Sequence, residues 1–106
     1  MPKRTKSYEA GLQERLQDPG YASEYLQAAL EDDEEGSDAV FLLALRDVAR
    51  AHRMASVAEA TGLNRESLYR MLSRRGNPGI GSLKAVLGAV GLRLSVELAE
   101  RRRVRQ

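Results

Sequence analysis

The chain has 106 residues, with 17 lysines and arginines against 15 aspartates and glutamates, one histidine and no cysteine. That length holds one compact domain with at most a short appended segment, and the missing cysteine removes disulfide frameworks and thiolate metal sites, so a reducing cytoplasm is the expected compartment. No run approaches the roughly 18 apolar residues of a membrane span, and the basic N-terminus has no apolar stretch behind it, so neither a membrane partner nor a signal peptide is expected.

The charge is divided along the chain. Residues 1–36 carry 4 basic against 9 acidic side chains, net −5, whereas residues 37–106 carry 13 against 6, net +7. Arginine dominates the basic part, and such a density attracts a phosphate backbone.

In chain order, Tyr8, Leu12 and Leu16 recur every four residues among polar ones. This is a narrow apolar stripe on a short helix that must dock on something to be stable. Asp18-Pro19 then reads as a helix start, with Asp18 as cap and Pro19 at the first helical position. The helix that follows runs to about Leu30 and presents Tyr21, Tyr25, Leu26, Ala29 and Leu30. The acidic run 31–35, closed by Gly36, predicts an exposed loop. Ser37 or Asp38 caps the next helix, which extends to about His52 and whose apolar face is wide enough to bury on two sides.

Two short helices are expected at 55–61 and 65–74, separated by Gly62-Leu63-Asn64, and a loop at 76–79 ends that unit. A last helix over 80–90 carries Ile80, Leu83, Val86, Leu87 and Val90, with Gly91 as its left-handed stop. From Leu92 the period becomes two: Leu92, Leu94, Val96 and Leu98 alternate with Arg93, Ser95 and Glu97, as in a half-buried strand. The chain offers no second strand, so dimerisation through these four residues, or pairing with another protein's sheet edge, is expected. The alternative is a helix continuing to Arg103. The fold class expected is therefore mostly α, a five- to six-helix, phage-repressor-like domain with a short C-terminal strand pairing between subunits. Its parts are an acidic helical segment (1–36), a main domain (37–98) and a basic tail (99–106).

Residues 56–72, SVAEATGLNRESLYRML, have the parts of a helix-turn-helix in register. Ala58 is small where the helices cross, Gly62 can take the positive φ of the turn, Val57, Leu63 and Leu68 supply the shared core, and Asn64 caps the second helix. With Leu68 and Leu72 buried, Arg65, Glu66, Tyr69, Arg70 and Ser73 remain outward. In this motif the start of the second helix enters the major groove, so Arg65, Glu66, Tyr69 and Arg70 are placed for base edges of double-stranded DNA. Asn64, Ser67, Arg74 and Arg75 are placed for phosphates.

Nothing points to an enzyme, a metal or a cofactor. His52 stands alone at a helix end, Ser56, Ser67 and Ser73 lack an activating base, the glycines at 76–81 lack the strand and Lys-Ser or Lys-Thr pair of a phosphate loop, and 31–35 lacks the alternation of a calcium loop.

From Tyr25 to Val96 the sequence resembles the addiction-module antidotes of the phage-related antitoxin group. The matching blocks are YLQAAL (25–30), FLLALRDVARA (41–51), TGLNRESLYR (61–70), GNP (76–78) and GLRLSVE (91–97). The resemblance implies a protein that neutralises a toxin of the ribosome-dependent mRNA interferase superfamily and represses its own operon, with the recognition positions on Arg65, Glu66, Tyr69 and Arg70. Arg53 stands where such sequences often have glycine, and the chain continues past the point where many of them stop. Such toxins are basic because they hold RNA, so the acidic stretch 24–35 and the N-terminal helices are the expected toxin surface. A stand-alone phage-type regulator without a toxin, and an adaptor without DNA binding, are the competing readings.

Overall fold

The computed structural model describes residues 5–31 and 36–99. Six α-helices occur among them: α1 (Lys6–Leu16), α2 (Pro19–Leu30), α3 (Ser37–Ala51), α4 (Met54–Thr61), α5 (Arg65–Met71) and α6 (Ile80–Ala89). The acidic residues 32–35 and the tail from 100 onward lie outside the described residues.

α1 starts where the Thr5 hydroxyl accepts the Tyr8 amide at 3.0 Å, and its stripe buries Leu12 and Leu16 while Tyr8 stays about half exposed. α2 begins as expected, with the Asp18 carboxylate accepting the Tyr21 amide at 2.9 Å and Pro19 in the first turn. It buries Ala22, Leu26 and Ala29. The Tyr25 hydroxyl donates to the Asp47 carboxylate at 2.7 Å and ties α2 to α3.

Neither Ser37 nor Asp38 caps α3. The N-cap is Gly36 at φ 89°, and its carbonyl accepts the Val40 amide. A left-handed residue there turns the chain so sharply that both expected caps already lie inside the helix. The wide apolar face of α3 buries Leu42, Leu45, Val48 and Ala49, packing on α1, α2 and α4. All six helices contribute to one apolar cluster, and no polar or charged residue is buried among the described ones.

α5 is shorter than the pattern 65–74 suggests. The Ser73 hydroxyl donates to the Arg70 carbonyl at 2.8 Å. The last helical bond is from the Leu72 amide to the Leu68 carbonyl, and Leu72 itself leaves the helix at ψ 53°, so the Ser73 hydroxyl fills a carbonyl that the ended helix leaves open. α6 ends in a Schellman turn: Gly91 has φ 85°, its amide bonds the Gly88 carbonyl, and the Leu92 amide bonds the Leu87 carbonyl at 2.8 Å. Ile80, the first residue of the predicted α6 stripe, is 69% exposed and lies outside the core.

Residues 92–98 form neither a helix nor a strand. This corrects both expectations for the isolated chain: Gly91 ends the helix, and no described segment supplies a pairing edge.

Between α3 and α4, Arg53 has φ 72° and ψ 117°, the one non-glycine residue at positive φ among those described. Such backbone costs an L-residue on the order of 1–3 kcal/mol, whereas glycine adopts it freely. Arg53→Gly is expected to stabilise the fold by roughly 1 kcal/mol after the extra chain entropy of glycine is subtracted, raising Tm by several degrees in thermal unfolding.

Candidate nucleic-acid interface

The unit that presents α5 is built from local chemistry outward. Gly62 closes α4 at φ 78° in the left-handed region, with its amide on the Ala58 carbonyl at 2.9 Å. The Thr61 hydroxyl donates to the Val57 carbonyl at 2.8 Å and accepts the Leu63 amide at 3.3 Å, so it stitches the end of α4 to the turn. Asn64 then starts α5, its Oδ1 accepting the Ser67 amide at 2.7 Å. A cap of this kind contributes about 1 kcal/mol.

Below α5, Leu68 and Leu72 are fully buried, and Val57 of α4 joins them in the core. Leu63 and Ala58 are half-buried against the same cluster. With that stripe fixed, the other face is settled: Arg65, Glu66, Tyr69 and Arg70 are all exposed, as are Arg74 and Arg75 in the turn beyond the helix. Ser67 is half-exposed, and its hydroxyl accepts from the Arg70 guanidinium at 3.4 Å. Ser73 is half-exposed and spends its hydroxyl proton on the Arg70 carbonyl.

Of the nine residues singled out in the sequence, Asn64 is the N-cap of α5 and the other eight lie on the side of α5 away from Leu68 or in the turn that follows it. They divide by anchoring. Asn64, Ser67 and Ser73 are engaged in bonds that shape the helix, whereas Arg65, Glu66, Arg74 and Arg75 carry their charges at the surface. An open groove lined by Ala55, Ala58, Glu59, Gly62, Leu63, Asn64 and Arg65 runs between α4 and the start of α5. A surface with four arginines and one glutamate on a helix and its exit turn can form bidentate hydrogen bonds with guanine edges and phosphates.

Two structural residues were not singled out by the pattern. Thr61 leaves a faint signal, a hydroxyl residue directly before the helix-ending glycine. Gly76 sits in a recognised loop, yet the need for glycine there is not torsional. A Cβ at Gly76 would overlap the Met71 carbonyl and crowd the Arg70 carbonyl oxygen at 3.2 Å. His52 is the C-cap of α3, and its buried Nε2 has no hydrogen-bond partner among the described residues. No described group of histidine, aspartate or glutamate side chains could hold a metal ion, and no described helix is long and apolar enough to cross a membrane.

The contrast between two loop glycines gives a direct check. Gly76→Ala is expected to cost roughly 2–3 kcal/mol in urea unfolding, because backbone rather than a flexible side chain must move. Gly79→Ala, whose added Cβ meets nothing within 4 Å, should stay within about 0.5 kcal/mol of the parent.

Residues 5–98 match the family described as probable addiction module antidote protein. An uncharacterized protein of Haemophilus influenzae is 37% identical over 73 residues, which is 69% of this chain and 72% of that protein. No solved structure matches. The match spans nearly the whole chain, including all six helices, and the chain belongs to the family of probable addiction module antidotes.

Proposed function

We propose that this chain is the antitoxin of a type II toxin–antitoxin module, which binds and neutralises a small basic toxin and represses its own operon through a helix-turn-helix made of α4 and α5. The family supports a toxin partner, and it favours this reading over a stand-alone regulator. The observation that carries the DNA half is the outward face of α5, where Arg65, Glu66, Tyr69 and Arg70 are exposed above a stripe held by Leu68 and Leu72.

The exposure of these side chains supports the following assignment of roles. The start of the second helix of such a motif meets base edges in the major groove. Arg65 and Arg70 are assigned to guanine O6 and N7, Glu66 to a cytosine amino group and Tyr69 to apolar contact beside them. Asn64, Ser67, Arg74 and Arg75 are assigned to phosphates, which position the domain without reading sequence. Ser73 holds the turn that carries the last two arginines. One seven-residue helix reads a short site, so the operator is bound by a homodimer, with Leu92, Leu94, Val96 and Leu98 between the copies.

The toxin surface is assigned to the N-terminal, net-negative part of the chain, where Glu24 and Glu31 are exposed on α2 and at its C-cap. As the family resemblance implies, the toxin belongs to the ribosome-dependent mRNA interferase superfamily, whose RNA-holding surface is basic and complementary to these carboxylates.

The toxin test is growth of cells induced for the adjacent small reading frame, with and without this chain, followed by co-purification. Relief of arrest and recovery of a complex are expected, with capture weakened and made less salt-sensitive by Glu24→Lys and Glu31→Lys together. Loss of relief is not expected from Arg70→Ala. A harmless or unbound neighbour overturns the antitoxin reading.

The DNA test separates reading from positioning. Arg70→Ala should lower discrimination between operator and scrambled duplex by roughly 1–3 kcal/mol, and Arg75→Ala should weaken both about equally while reducing the salt slope by about 1. Equal loss on both duplexes for Arg70→Ala removes it from the base-reading set.

A further inference from the structure

We infer that residues 92–98 pair antiparallel with the same segment of a second copy, in the one register centred on Ser95. The inference rests on the homodimer proposed above and specifies the contact that makes it.

The isolated chain leaves this segment incomplete. Arg93, Leu94, Ser95 and Val96 make no backbone–backbone hydrogen bond within the described residues. Their apolar neighbours are bare as well: Leu94 is 38% exposed, Leu98 59% and Val96 98%, the highest value among the exposed large hydrophobic residues. Leu92 alone packs against the core. A row of open amides and carbonyls beside an apolar stripe is a pairing edge.

The sequence of the segment names the partner. Read outward from Ser95, LRLSVEL is a palindrome in chemistry. Antiparallel pairing about Ser95 sets Leu92 opposite Leu98, Arg93 opposite Glu97, Leu94 opposite Val96 and Ser95 opposite itself, and each unlike pair occurs twice across the two-fold axis. Every apolar residue meets an apolar one, and both charges meet their opposites. Shifting the register by one residue places apolar side chains opposite polar ones. Moving the centre to Leu94 or Val96 keeps the faces but removes both Arg93–Glu97 pairs. In-register parallel pairing sets Arg93 on Arg93 and Glu97 on Glu97. A second copy therefore fits the segment in a single way, and the polar face of the ladder lies opposite the face that Leu92 turns to the core.

Because the chain has no cysteine, single thiols report the register directly. Residues directly opposite have Cα atoms about 4.5–5.5 Å apart, inside the disulfide range, whereas diagonal neighbours are about 7–8 Å apart and outside it. In the full-length protein under mild oxidation, Ser95→Cys is expected to give a covalent dimer as the dominant species on a non-reducing gel, and Leu94→Cys and Val96→Cys to remain mostly uncrosslinked. In sedimentation, Arg93→Glu or Glu97→Arg should raise the dimer Kd roughly tenfold, and the double exchange should restore it. These side chains are exposed and outside the helical core, so folding is preserved. A dimer that forms without Ser95→Cys crosslinking, or without rescue by the double exchange, overturns the register alone. A chain that sediments as a monomer at all concentrations overturns both the register and the homodimer.

Discussion

The burial of α3 on two sides is the constraint on which the rest of the structure depends. Leu45, Val48 and Ala49 are inaccessible to solvent, and the same 15-residue helix packs on α1 and α2 before it and on α4 after it. The two halves share one apolar cluster. α1 has only Leu12 and Leu16 buried, α4 only Met54 and Val57, and α5 only Leu68, each too little to hold a short helix in water. The boundary drawn at residue 36 from charge thus marks a change of surface, because one apolar cluster runs beneath both charge classes.

What the sequence made legible is chemistry that needs no tertiary partner. Asp18 with Pro19, Asn64, Gly62 and Gly91 start or stop their helices where local hydrogen bonding or positive φ demands it, and each stands in the structure as read. The outward face of α5 was legible for the same reason, since fixing Leu68 and Leu72 inward leaves only one orientation for the residues between them. What escaped depended on competition between adjacent residues or on close approaches of the backbone a turn or two away. Three residues at 36–38 could all begin a helix, and Gly36 takes the N-cap position at φ 89°. α5 ends at Leu72, whose backbone turns out of the helix at ψ 53°, and the Ser73 hydroxyl bonds the Arg70 carbonyl left open there. The demand for glycine at position 76 comes from carbonyls of Arg70 and Met71, a crowding that no pattern in the loop displays.

Arg53 shows the two kinds of information in conflict. The resemblance marked this position as one where glycine is usual, and the backbone retains the conformation that glycine would choose. The connection is held from both sides: the Arg53 amide bonds the Arg50 carbonyl at 3.0 Å, and its own carbonyl accepts the Val57 amide at 3.1 Å. The buried residues flanking it, Ala51 and Met54, belong to the common core. The sharp corner is therefore set by packing on either side, and arginine bears a strain imposed on it.

The chain after Gly91 differs from everything before it. Up to that residue several helix ends are closed locally, by the Thr5, Asp18 and Asn64 caps, the Thr61 hydroxyl and the Schellman turn at Gly91. Beyond it, apolar side chains and main-chain groups face outward together, a combination that is costly in water and stable only when both are covered at once. A helix docking on the segment would cover the side chains and leave the amides open, whereas a strand covers both. The segment also leaves the core at a defined place, because Gly91 lies against Pro19 at the start of α2, 3.6 Å from its ring to where a Cβ would stand. In the proposed dimer, pairing between copies is thereby anchored beside the first turn of α2, in the acidic half of the chain. On the proposed reading, dimer contact and toxin surface are thus neighbours on one rigid core, and α5 is joined to both through α4 and α3.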